Sequence, residues 1–106
     1  VPRVRLAAAQ LDLVVGDVDG NVDRMLDAYE RADAAGCDLV AFPELSLTGY
    51  PPEDLLLRPS FVAHCAESLE KFAARTGRTA AVVGFPEVQR DLANAAALAA
   101  KRGRKR

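Results

Sequence analysis

Apolar residues dominate Val4 to Leu13 (VRLAAAQLDL) with little alternation, a pattern that predicts a strand buried on both faces. Gly16, Asp17, Asp19 and Gly20 then form a turn-rich connection, and Asn21 or a nearby Asp is placed to cap the following helix. In that helix Val22, Met25, Leu26, Tyr29 and Ala32 share one face, and Gly36 marks its end. Asp38 to Phe42 reads as a short strand stopped by Pro43. Strand, helix and strand at this spacing predict a βαβ unit with parallel strands and a right-handed crossover. Ser46 to Pro59 is polar and rich in turn residues. From Ser60 to Arg75 the apolar positions Phe61, Val62, Cys65, Leu69, Phe72 and Ala73 recur at helical spacing, Gly77 ends the pattern, and Thr79 to Phe85 predicts a third strand. Asp91 to Lys101 reads either as an alanine-rich helix or as a return strand.

Composition narrows the class. The 106 residues are half apolar, enough for one small domain or a piece of a larger one, and no apolar run approaches the roughly 20 residues of a membrane span. The formal charge of −1 conceals a split, because Lys101, Arg102, Arg104, Lys105 and Arg106 crowd into the basic tail 101–106. Residues 1–100 therefore hold 9 basic against 15 acidic side chains. An acidic body argues against an extended nucleic-acid surface, which needs clustered cations, and leaves the tail as the one segment suited to a polyanion. Cys37 and Cys65 are too few for a secreted disulfide scaffold, and residues 1–12 lack a signal-peptide core, so free thiols in a cytoplasmic protein are expected.

Candidate chemistry gathers after the second strand. In parallel α/β arrangements functional groups sit beyond the carboxyl ends of strands. Glu44, two residues past the apolar run LVAF and held out of helix by Pro43, either projects partly buried into a cleft, where it can serve as a general base, or is a solvated loop glutamate. Gly49, Tyr50, Pro51 and Pro52 make the next loop rigid; it either connects elements while burying Leu55, Leu56 and Leu57 or forms a pocket wall. Cys65 interleaves with an apolar helix face and reads as core. Cys37 lies at the other end of the second strand from Glu44, about 16 Å away. His64 is a helix-face histidine without ligand partners at metal-binding spacing, and Glu53 and Asp54 read as a solvated turn. Gln10 and Asn94 read as strand amides that satisfy backbone groups. No Gly-rich phosphate loop occurs, and neither a metal nor a cofactor is expected.

The run AFPELSLTGYPPEDLLLRPSF, with the opening RLAAAQLDLVVGDVDGN, the strand VVGFPE and the later NAAAL, resembles the start of a nitrilase-superfamily carbon–nitrogen hydrolase. More narrowly, LTGYPPEDLLLR is similar to the N-terminal glutamine amidohydrolase domain of glutamine-dependent NAD⁺ synthetases. The resemblance implies an α/β fold, the N-terminal part of a four-layer αββα sandwich, with residues 1–100 a partial domain and 101–106 a tail. It also implies a Glu, Lys and Cys mechanism, in which Glu44 matches the general base and Tyr50 a position near the substrate, glutamine or another small amide. The Lys and the Cys have no counterpart here: Lys101 follows NAAAL too soon, and neither Cys37 nor Cys65 is placed for the role. Hydrolysis by the chain alone is therefore expected to be absent or very weak. Two other readings stand beside this one. In the first, the chain is a non-catalytic module that pairs with itself, a full-length relative or an acidic partner. In the second, it is the product of an interrupted gene.

Overall fold

The computed structural model describes residues 3–87, so the expected element at Asp91–Lys101, the amide of Asn94 and the basic tail 101–106 lie outside the described residues. Three short strands, β1 (Leu6–Ala8), β2 (Leu39–Ala41) and β3 (Ala80–Val82), form a parallel sheet in the order β1-β2-β3. The register aligns Ala7 with Val40 and Val40 with Ala81. Helix α1 (Val18–Ala34) connects β1 to β2, and helix α2 (Pro59–Ala74) precedes β3. Between β2 and α2 the segment Glu53–Leu57 winds as a 3-10 helix.

Helix α1 starts four residues before Val22, because Asp17 rather than Asn21 caps it by accepting the Gly20 N–H at 3.1 Å. Its expected apolar stripe is the buried face, with Met25 fully enclosed and Leu26 at the margin. Helix α2 buries Val62, Cys65, Ser68 and Phe72, and takes Pro59 in its first turn, where the missing N–H costs nothing. Phe72 packs edge-on against both Tyr29 of α1, centroids 6.0 Å apart, and Phe42 at the end of β2, 5.6 Å apart. One ring thus joins two helices to the sheet. The Tyr29 hydroxyl donates to Thr79 O at 2.7 Å and accepts the Gly77 N–H at 2.8 Å, pinning the lead-in to β3 against α1.

The amino ends of the strands are tied by Asp38. Its carboxylate accepts the Arg5 N–H at 2.8 Å and lies 3.3 Å from the Arg78 guanidinium, so residues leading into all three strands converge on one acid. The Arg5 N–H first, and the Arg78 cation after it, hold the Asp38 carboxyl below the usual aspartate range.

Two expectations are corrected. Among the described residues β1 is covered on one face only: Ala7, Ala9 and Leu11 turn toward the core, while Leu6 is 67% exposed and Ala8 and Gln10 also face outward. Lack of alternation in small residues such as alanine hid a two-sided strand. The leucine triplet is not buried as a unit either, since Leu56 and Leu57 are exposed and Leu55 is half-buried. Three residues per turn cannot direct three consecutive side chains to one face.

Candidate functional site

Loops from the carboxyl ends of all three strands converge on the residues after Glu44. The segment 44–48 is a succession of turns in which Leu45 adopts a left-handed φ of 55°. The Gly49 N–H donates to Leu45 O at 3.0 Å, and the Ser46 hydroxyl donates to Pro43 O. Thr48 Oγ1 lies 3.2 Å from Leu45 O and 2.8 Å from Gly49 O, so its proton can serve either carbonyl. Ser46, Leu47 and Thr48 are all fully buried.

The loop after β1 fastens this turn from one side. Gly16 N–H donates to Thr48 O at 2.8 Å, and Asn21 Nδ2 donates to Leu47 O at 3.0 Å. Gly49, at φ 75°, lies so close that a β-carbon there would stand 2.7 Å from the backbone N and Cα of Val15. Only glycine tolerates both that angle and that approach. The loop after β3 closes in from the other side: a β-carbon on Gly84 would lie 3.2 Å from Leu45 N and 3.8 Å from Glu44 Cα.

Glu44 and Tyr50 stand at the two ends of the turn, both exposed, Tyr50 to 74%. Of the two placements open to Glu44 the exposed one is observed: the turn encloses Ser46 to Thr48 and leaves the carboxylate at the surface. What the turn provides is a fixed origin for that side chain. The remaining candidates lie elsewhere. Cys65 is completely enclosed in the core, where burial pushes its thiol pKa up, and Cys37 is buried at the amino end of β2. His64 sits on α2 with Nε2 2.9 Å from Asp19 Oδ1, joining the two helices. Glu53 and Asp54 are exposed at the start of the 3-10 helix.

Reading of the pattern missed Asn21 and Gly84 as parts of this site. Asn21 had a signal: asparagine is a poor residue inside a helix, and here it occupies a position on the apolar face. Gly84, inside an apolar strand run, carried the general mark of close backbone approach.

Known proteins place this geometry. The family model for carbon–nitrogen hydrolase matches residues 5–105. A glutamine-dependent NAD(+) synthetase of Xylella fastidiosa (strain Temecula1) is 53% identical over 85 residues, which cover 79% of this chain and 16% of that protein. Among solved structures, a glutamine-dependent NAD(+) synthetase from Cytophaga hutchinsonii superposes with a TM-score of 0.78 at 30% identity, covering 81% of this chain and 15% of its own. An amidase from Nesterenkonia sp. superposes with a TM-score of 0.69 at 28% identity, covering 81% and 33%. The α/β fold is therefore that of the N-terminal part of a nitrilase-like sandwich, and the chain spans less than a fifth of the length of the NAD(+) synthetases it matches. Among the described residues no helix is long and apolar enough to cross a membrane. Joined to a family match that runs from Arg5 nearly to the last residue, the three-loop convergence on FPEL leads to one conclusion: the chain belongs to the carbon–nitrogen hydrolase family.

Proposed function

We propose that this chain is the part of a glutamine-hydrolysing, ammonia-supplying domain that carries the general base, and that the base is Glu44. The observation that supports this reading is the convergence of loops from all three strand ends on the turn that follows Glu44, the place where parallel α/β sheets present reactive groups. The similarity to NAD(+) synthetases favours glutamine as the amide.

In this scheme Glu44 takes the proton of a cysteine thiol, the thiolate attacks the amide carbon, and a lysine stabilises the oxyanion that develops. Glu44 returns the proton to the departing nitrogen as ammonia leaves, and water then cleaves the thioester. A carboxylate suits this work when its origin is fixed and its oxygens are free to meet a partner, as they are in Glu44. Tyr50, at the other end of the turn, is an aromatic wall with a hydroxyl for the substrate's polar end. Among the described residues Cys65 is enclosed in the core and Cys37 lies at the opposite end of β2 from Glu44, so neither is placed to be that cysteine.

The test is a hybrid enzyme in which residues 5–87 replace the matching segment of the Xylella fastidiosa synthetase. Ammonia release from glutamine is expected to persist, and Glu44→Gln to lower kcat by about 10²–10⁴. A Glu44→Gln hybrid as active as its parent would end the proposal.

A further inference from the structure

We propose that Asn21 is the positioning residue for Glu44, acting as a clip that fastens the turn after β2 to the loop after β1. The inference rests on the reading of Glu44 as the base. The Asn21 side chain is fully buried in the second turn of α1, where packing alone would favour an apolar residue. A carboxamide offers two donor hydrogens and two acceptor sites, and all four are used. Oδ1 accepts the Val14 N–H at 2.9 Å and faces Arg24 Nη1 at 3.4 Å. Nδ2 donates to Val14 O at 2.8 Å and to Leu47 O at 3.0 Å.

The two bonds to Val14 imitate a strand pairing and hold the first loop, while the fourth reaches across to the turn. That turn needs fastening from outside. Leu45, next to Glu44, sits in the left-handed region that L-residues other than Asn and Asp rarely adopt, so the backbone path out of Glu44 does not follow from local preference. The bond to Leu47 O and the neighbouring Gly16–Thr48 bond brace the turn at adjacent residues, the first from helix α1 and the second from the loop that Asn21 holds.

Amide hydrogen exchange on the full 106-residue chain tests this, with Asn21→Leu, close in volume and unable to bond, and Asn21→Ser, which retains a short hydroxyl. Expected are Gly16 and Gly49 amides that exchange at least about tenfold faster than in the parent, relative to the core amides of Met25 and Cys65. Loss of the left-handed signature of Leu45 in its one-bond Cα–Hα coupling should accompany this. A purely structural Asn21 gives another pattern, in which all four amides accelerate together and the Leu45 signature stays; that pattern overturns the proposal. Should both variants fail to fold, the parent decides. Its Asn21 side-chain amide protons must exchange at least about tenfold slower than those of a free carboxamide, and unprotected protons overturn the proposal. Failure of the Glu44 reading is scored separately by the Glu44→Gln hybrid, which leaves the Asn21 bonds in place.

Discussion

Gly49→Ala should damage the fold far more than one methyl group normally does, and the structure supplies the magnitude. Two penalties act together. The backbone angle of 75° costs a non-glycine L-residue about 1–2 kcal/mol. The added β-carbon would then lie 2.7 Å from Val15 N and Cα, where carbon pairs rest at about 3.5–4.0 Å, so the two loops must part by about 0.8 Å. Such a shift stretches the 2.8 Å Gly16–Thr48 bond to about 3.6 Å, outside hydrogen-bonding range, and strains the 3.0 Å Asn21–Leu47 bond in the same way. The carbonyl of buried Thr48, left without its bond, adds about 1–3 kcal/mol. A loss of about 2–5 kcal/mol follows, a large fraction of the 5–15 kcal/mol typical of a domain. Urea denaturation of the two chains side by side measures it, with the slope m expected to be unchanged. Gly77→Ala is the control, since a β-carbon there meets nothing within 4 Å; its effect should stay within about 0.5 kcal/mol. A Gly49→Ala loss below about 1 kcal/mol, with the Gly16 amide still protected from exchange, would refute this account of loop contact.

Other expectations follow from the same contacts. Tyr29→Phe removes one hydroxyl but strands both the Thr79 carbonyl and the Gly77 N–H, and should lower stability by about 1–3 kcal/mol in urea melts. Phe72→Ala empties the junction of two helices and the sheet and should cost about 3–5 kcal/mol by the same assay; a loss under 1 kcal/mol would mean the ring is not packed as described. Because Asp38 has its pKa lowered by folding, its contribution is fully present above its unfolded value near pH 4 and fades as pH falls through the lower folded value. Asp38→Asn should therefore flatten the stability profile below about pH 4, which acid titration of the urea midpoint can check. Cys37 and Cys65, both buried, should resist a thiol reagent in the native chain and react promptly in urea.

The parallel sheet and its two helices were legible because each rests on a local pattern. Met25 and Tyr29, or Cys65 and Phe72, repeat at helical spacing, and turn residues bracket each run. Glu44 was legible as a strand-end residue for the same reason. Its exposure was one of two readings left open, since the choice depends on a left-handed Leu45 and on enclosure of Ser46 to Thr48, which bonds between distant loops impose. Of the two caps the pattern allows, Asp17 is the one observed, and the bridging role of Asn21 is invisible until its partner, 26 residues away, is placed. The one-sided burial of β1 was hidden by alanines, which carry no periodic signal of their own.

The two edges of the sheet are fastened by different forces, and this divides their responses to the medium. Asp38 ties the amino edge through a carboxylate and a guanidinium, both partly in solvent, where salt and acid weaken attraction. The carboxyl edge around Glu44 is tied by backbone amides and one buried carboxamide, none of which gains or loses a proton over the working range. If Glu44 is the base proposed above, its carboxylate stands on a footing of amides. On that proposed role, protonation of Glu44 leaves the bonds that support it unaltered, while salt and acid act on the Asp38 pair at the far end of the strands.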